Sequence, residues 1–243
     1  MKRRLNAIAI DGPAGAGKST VARRLAERLG AYYVDTGAMY RALTLKALER
    51  GVPVDDEAAL VALLGETVVA FGGPNAEGVP TVLLDERDVT QEIRSPRVSG
   101  SVSAVARHPG VRAELVRRQR QLALHYLSAG RMVVMDGRDI GTVVLPEARV
   151  KVFLTASLDE RARRRHEELA RRGERPTYGE TLERLRERDR KDAEREVAPL
   201  RKAEDAVEID TTGKSVDEVV EAIVRLVEER LFNSVQGRKE EFR

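Results

Sequence analysis

The sequence predicts an α/β protein built on parallel strands. Three observations carry this. Short apolar runs alternate with amphipathic helical stretches. Acidic or glycine-rich turns follow several of the runs. Two runs, Met132–Met135 and Val150–Leu154, have few or no polar residues, as strands buried on both faces do. The 243 residues suit one core with small appended subdomains rather than a string of modules.

The elements follow in order. Leu5–Ile10 reads as a buried strand ended by Asp11-Gly12-Pro13. Apolar residues at Val21, Ala22, Leu25, Ala26 and Leu29 give a helix over Lys18–Leu29, closed by Gly30. Tyr32–Asp35 is a second strand and Met39–Leu48 a helix, so the chain opens with a parallel βαβ unit. Residues 54–93 differ: a short helix (Glu57–Leu64) precedes Val68–Phe71 and Thr81–Leu84, a hairpin around Gly72-Gly73-Pro74-Asn75. A β-rich stretch amid α/β reads as an insertion. Ser95–Ala106 and Val111–Leu127 are helical, with Pro109 just before the second. The two buried strands follow, then an arginine-dense helix over Leu158–Leu169, a break at Gly173–Pro176 and a charged helix over Thr181–Glu196. Ala206–Ile209 is the last strand and Val216–Leu231 the last amphipathic helix, with a polar tail over 233–243.

Composition narrows the function. Lys and Arg number 43 against 40 Asp and Glu, a net charge of +3, which argues against wholesale coating of nucleic acid. The basic residues are 8 Lys and 35 Arg, a bias that fits anion handling because the guanidinium fork holds phosphates and carboxylates bidentately. The absence of cysteine excludes disulfides, thiolate metal sites and cysteine nucleophiles. The longest unbroken apolar run, Ala58–Leu64, is too short to span a bilayer, so a soluble cytoplasmic protein is expected.

The strongest motif is Gly12-Pro13-Ala14-Gly15-Ala16-Gly17-Lys18-Ser19, which fits G-x-x-x-x-G-K-[ST] and lies between a strand and a helix. Its glycines let backbone N–H groups close around phosphate oxygens, and the helix N-terminus adds a favourable dipole. Lys18, expected on an exposed loop, can reach the β- and γ-phosphates, and the Ser19 hydroxyl can bind Mg²⁺. The chain is therefore expected to bind a nucleoside triphosphate. A second Gly213-Lys214-Ser215 is a turn before the last helix, because the position five before Gly213 is Glu208, within a strand. No guanine-reading Asn-Lys-x-Asp is present. Asp35-Thr36-Gly37-Ala38-Met39-Tyr40-Arg41 follows the second strand, and Asp136-Gly137-Arg138-Asp139 follows the third. Ligands bind beyond the C-terminal ends of parallel strands, so Arg41, Arg138 and Asp139 are expected near the phosphate loop. Arg161–Arg165 and Arg171–Arg175 flank the Gly/Pro break and read as a cationic flap that closes over phosphates. Half of these arginines would equally suit a salt-bridged helix face.

These residues carry a resemblance. Ile8–Thr20, Asp35–Arg41, Asp136–Val144, and Glu187–Asp192 running on to Ala198-Pro199-Leu200 together resemble bacterial cytidylate kinases, in order, from about residue 5 to 230. The resemblance implies a P-loop kinase-like fold with a parallel five-stranded core sheet and helices on both faces. The core would comprise 5–50, 129–157 and 197–232, with a monophosphate-binding insertion over 54–107, a lid over 158–180 and a flexible tail over 233–243. The activity implied is transfer of a phosphoryl group from ATP to CMP or dCMP with Mg²⁺, by a monomer. Carried over, Gly12, Pro13, Ala14, Gly15, Ala16, Gly17, Lys18, Ser19 and Thr20 hold ATP. Thr36, Arg41 and Arg138 sit around the acceptor phosphate, and Ser103, Arg112 and Asp139 match cytosine-reading positions. Arg188 and Asp192 match positions touching sugar and phosphate, and Arg195 a further phosphate-side arginine. Lys18, Arg138 and Arg188 are the implied catalytic residues, Arg161 and Arg165 lid arginines, and Asp136 an outer partner of the metal. Thr36 departs from family members with Ser there but keeps the hydroxyl.

The chemistry agrees with this assignment. Cytosine offers an N4 amino donor and acceptors at N3 and O2, which a carboxylate such as Asp139, an arginine such as Arg112 and a hydroxyl such as Ser103 can serve. Uracil reverses the pattern at C4 and N3, a mismatch that discriminates by powers of ten. Other readings are a kinase for UMP or AMP, a non-catalytic ATP-binding switch, or an RNA-binding module.

Overall fold

The structure, a computed structural model, describes residues 4–74 and 80–240. Asn75 of the expected hairpin turn and the last three residues of the expected tail lie outside them. The chain forms two compact units, numbered here with elements in chain order. One takes in residues up to 33, 123–194 and from 198 onward; the other takes in 34–122 and 195–197.

The first unit carries a five-stranded parallel sheet with helices on both faces. Its strands are β1 (Leu5–Asp11), β2 (Tyr32–Asp35), β6 (Val133–Asp136), β7 (Ala148–Thr155) and β8 (Val207–Asp210), in the order β2-β6-β1-β7-β8. β1 is central, paired parallel with β6 from Ala7 to Ile10 and with β7 as far as Asp11 opposite Phe153. Strands pair with both of its edges and helices cover both faces of the sheet, which is why its run is apolar up to the final aspartate. Helix α1 (Lys18–Leu29) presses Val21, Ala22, Leu25 and Ala26 onto Ile8, Ile10, Val152 and Leu154. Each fully buried Ile or Leu here stabilises the fold by about 1.5–3 kcal/mol. Gly30 ends α1, its N–H donating to the carbonyls of Ala26 and Glu27. Helices α6 (Leu158–Arg171) and α7 (Tyr178–Ala193) start on Ser157 and Thr177, whose side chains accept from the backbone N–H three residues on, at Glu160 and Glu180. The last helix, α8 (Val216–Glu240), continues past Leu231, where the sequence places its end. The Gly213-Lys214-Ser215 turn joins β8 to α8, with the Lys214 N–H donating to Thr211 O.

The second unit holds helices α2 (Thr36–Glu49), α3 (Glu57–Gly65), α4 (Pro96–Val105) and most of α5 (Pro109–Ser128). It also holds an antiparallel sheet of β3 (Val69–Pro74), β4 (Pro80–Leu84) and β5 (Arg87–Asp88). Helix α2 starts three residues before the expected Met39, because the Asp35 carboxylate accepts from the Ala38 N–H and caps it. The same helix contributes to two apolar clusters among the described residues of this unit. Met39, Leu43 and Ala47 pack with Leu60, Leu64, Val105 and Leu115, while Ala38, Ala42 and Leu45 pack with Val82, Leu84 and Val98. Strand β5 escapes the sequence pattern: it is two exposed residues long and follows Asp85 and Glu86, both with positive φ. Among the described residues no helix is long and apolar enough to cross a membrane.

Candidate active site

The phosphate loop opens where β1 ends. Gly12 has φ 147°, and a Cβ there would lie 2.1 Å from the Leu154 carbonyl oxygen of β7, so only glycine lets the chain leave the sheet at this point. Three carbonyls of the loop are then tied down. Lys18 Nζ donates to Pro13 O at 2.7 Å, Arg161 Nη1 to Ala14 O at 3.1 Å, and Thr211 Oγ1 lies 3.3 Å from Ala16 O. Lys18 is buried, not exposed as the sequence implied, because it folds back under its own loop. Burial, and secondarily the charge of Arg138, push its ammonium well below the usual lysine range, while Asp136 works the other way.

The turn after β6 supplies the partners. Asp136, buried, accepts from Ser19 Oγ at 2.8 Å on one oxygen and from the Tyr33 hydroxyl at 2.8 Å on the other. Tyr33 belongs to no motif, and nothing in its local sequence marks it as a partner of Asp136. Arg138 Nε donates to Asp192 Oδ2 at 2.8 Å. Burial works against the Arg138 charge, but Asp192, Asp136 and Asp189 outweigh it and hold the guanidinium firmly protonated. Arg188, one helical turn before Asp192 on α7, is pushed down to about 10 by burial and by the neighbouring Arg138 charge. Its Nε makes no hydrogen bond to the protein. Lys18, buried, and the half-buried Arg138 and Arg188 therefore form a cationic set in which Arg138 disfavours charge on the other two, the electrostatics of a site built for a polyanion. Asp139 is buried at the head of a single π-helical turn, Ile140–Val144, where the N–H groups of Val143 and Val144 both donate to its carbonyl. Sequence patterning does not show this turn.

The flap arginines are placed differently from the expectation of free cations. Arg161 is a fixed brace: it pairs with Asp189, and its Nε donates to Ala156 O at 3.1 Å. Arg165 pairs with Glu168 on its own helix at 2.7 Å. Arg164, which the motifs did not single out, spans Glu160 at 2.7 Å and both the hydroxyl and carbonyl of Thr211, and so reaches the residue that touches Ala16 O.

The second unit gathers its own cluster. Arg112 on α5 and Arg195 both direct Nη1 at the carbonyl of Ala106, at 3.3 and 3.5 Å. Ala106 is the residue that closes α4, the helix of Ser103. The Arg112 guanidinium lies 5.6 Å from the Tyr40 ring centre. Arg41 donates to Ser99 Oγ at 2.9 Å and to Ile93 O at 3.2 Å, which aligns it along the start of α4. Thr36 is buried as the first residue of α2. Of the residues expected at the site, Gly12–Thr20, Asp136, Arg138, Asp139, Arg188 and Asp192 thus lie in the first unit, and Thr36, Arg41, Ser103, Arg112 and Arg195 in the second.

A family model described as cytidylate kinase matches residues 8–229. The chain belongs to the cytidylate kinase family. A cytidylate kinase of Geobacillus kaustophilus is 58% identical over 95% of this chain and 100% of its own length. Another, of Geobacillus thermodenitrificans, is 56% identical over 95% of this chain and all of its own. Among solved structures, a gluconokinase from Sinorhizobium meliloti 1021 aligns at a TM-score of 0.46 and 17% identity, covering 96% of this chain and 99% of that one, too loose a likeness to bear on function. Residues 8–229 take in every cytidylate kinase motif quoted above, from the phosphate loop to the α7 arginines.

Proposed function

We propose that this protein transfers the γ-phosphoryl group of ATP to CMP or dCMP, giving ADP and CDP or dCDP. The observation that carries this reading is membership of the cytidylate kinase family along nearly the whole chain, at 58% identity to a full-length relative. The site chemistry supports it.

The phosphate loop offers backbone N–H groups to the donor's phosphates, and its carbonyls are already engaged elsewhere. Lys18 leaves Pro13 O to neutralise charge between the β- and γ-phosphates. Its depressed affinity for a proton is restored once the triphosphate's charge arrives. Arg138 and Arg188 stabilise the transferring phosphoryl group from the acceptor side, with Asp192 fixing the Arg138 plane. Ser19 and Asp136 fit Mg²⁺: a hydroxyl and a carboxylate 2.8 Å apart are hard oxygen donors, and among the described residues no cluster of three or more acidic or imidazole groups could hold a metal alone. When bound, Mg²⁺ would be held by Ser19 and Asp136 and would supply charge neutralisation to the donor's phosphates.

On the acceptor, Thr36, Arg41, Arg138, Arg188, Asp192 and Arg195 serve phosphate and sugar. Asp139 accepts from the cytosine N4 amino group, while Arg112 and Ser103 donate to N3 and O2. No general base is needed, because the attacking oxygen belongs to a phosphate that is already an anion. A coupled assay of ADP release at saturating ATP tests the reading. Turnover should depend on CMP or dCMP and be far slower with UMP or AMP. ADP release indifferent to the acceptor, or fastest with UMP or AMP, would overturn it.

A further inference from the structure

Asp11 closes β1, one residue before the phosphate loop. It is buried at 4% exposure. Oδ1 accepts from the Ile140 N–H at 2.8 Å and Oδ2 from the Gly141 N–H at 2.7 Å. These are the first two amides of the π-helical turn that Asp139 heads, so both of the carboxylate's oxygens are spent on one short stretch of backbone. The other end of the same stretch is pinned by the preceding residue of β1, where Ile10 O accepts from the Gly137 N–H at 3.0 Å. Arg138 and Asp139 are thus carried on a loop stapled at both ends to the last two residues of the central strand.

The fit is close. A Cβ on Gly141 would lie 3.1 Å from Lys151 Cδ and 3.4 Å from Asp11 Oδ2, so the turn is pressed between a buried lysine of β7 and the carboxylate. The carboxylate is also poorly suited to its surroundings as a matter of stability alone. Burial pushes its pKa up to about 6, the two N–H groups and Lys18 pull it back, and Asp139 adds to the rise. With a folded pKa above the unfolded value, its stabilising contribution is complete only below about 3.8 and is lost as pH rises through about 6. At neutral pH the fold holds an ionised group that its environment disfavours, a pattern characteristic of functional rather than purely structural positions.

We infer that Asp11 is a positioning residue for the acceptor side of the site: its carboxylate fixes the Arg138–Asp139 loop through the Ile140 and Gly141 amides. This rests on the reading of Arg138 and Asp139 as acceptor-side residues. The phosphate loop itself has separate supports in Lys18, Arg161 and Thr211, so the donor side does not depend on this clamp.

Asp11→Asn keeps the shape but turns an NH₂ toward one of the two N–H groups, replacing an acceptor by a donor. The variant should still melt cooperatively, because a disfavoured charge is removed along with the bond. Its KM for CMP should rise at least about tenfold while its KM for ATP stays within about threefold. Equal changes in both constants would mean a general distortion of the strand end and overturn the proposal, as would no change in either. Gly141→Ala, which leaves Asp11 in place but sets a methyl against Lys151 Cδ and at contact distance from Asp11 Oδ2, provides a second arm should the first variant fail to fold. It should raise the CMP constant in the same selective way, and an unchanged constant would overturn the proposal. Wild-type enzyme in the same assay separates the two levels: without CMP-dependent ADP release the kinase reading fails, whereas with it, and with unselective variants, only the role of Asp11 falls.

Discussion

Two turns leave neighbouring strands of the same sheet, and they are fastened in opposite ways. The turn after β1 is held by its carbonyls, at Pro13, Ala14 and Ala16. The turn after β6 is held by its amides, those of Gly137, Ile140 and Gly141. A loop tied through C=O keeps N–H groups for an anion, and a loop tied through N–H keeps its side chains in place to select one. The first suits a donor that differs little from one kinase to another, since every triphosphate offers the same oxygens. The second suits an acceptor that must be told apart by its base. One polar scaffold can thus grip by backbone on one side and discriminate by side chain on the other.

The widest break in this comparison comes from Lys18→Ala. Lys18 fastens the phosphate loop through Pro13 O, and the proposed transfer also asks it to neutralise charge. Its loss should lower kcat by roughly 10²–10³ or more, in the range seen on removal of a single transition-state donor. The fold should persist, because a buried ammonium whose charge its surroundings disfavour is removed. Steady-state kinetics with a thermal-unfolding control decides it. A near-normal rate would mean that the first turn is not the donor site.

The second turn should respond in selectivity rather than in rate. Asp139→Asn keeps the size but adds a donor, so the amide can face cytosine or uracil. One hydrogen bond to a charged group is worth roughly 1.5–3 kcal/mol, so the CMP/UMP ratio of kcat/KM should narrow at least about tenfold. If Asp139 only orients Arg138, both efficiencies fall together and the ratio holds, which would remove Asp139 from base reading.

The same contrast explains what could be read from the sequence. The phosphate loop was legible because its function is local: glycines, a lysine and a serine at fixed spacing between a strand and a helix. The five strands were legible because burial on both faces forces apolar runs. The clamp on the second turn was not, because Asp11 and Ile140 are 129 positions apart and a carboxylate accepting backbone amides imposes nothing on its partners' side chains. Tyr33 on Asp136 and Thr211 on Ala16 were hidden for the same reason. Lys18 was misjudged as exposed, since a motif names the residue that meets the ligand but not where its side chain rests beforehand. The π-helical turn escaped because five residues are too few to show a period.

The smallest effect is expected on α6, where cations were anticipated that wait for phosphate. Several are already occupied: Arg163 bonds Glu160 and Glu167, Arg164 bonds Glu160, and Arg165 and Arg172 bond Glu168. The acids lie three or four residues from their partners, the spacing at which helical side chains meet. Helix α6 is therefore expected to form without nucleotide, with Ser157 capping its start. Amide hydrogen exchange along Leu158–Arg171 should change by less than about threefold when donor and acceptor analogues are added together, because exposed pairs of this kind are individually weak and local. Salt should matter more than ligand, since 1 M ionic strength shortens the screening length to about 3 Å and weakens each exposed pair. A large slowing of exchange across the helix on adding both nucleotides, with little response to salt, would show that α6 is ordered by its substrates. The flap would then be a closing element after all, and the carbonyl-held loop beneath it would owe part of its rigidity to the ligand through Arg161.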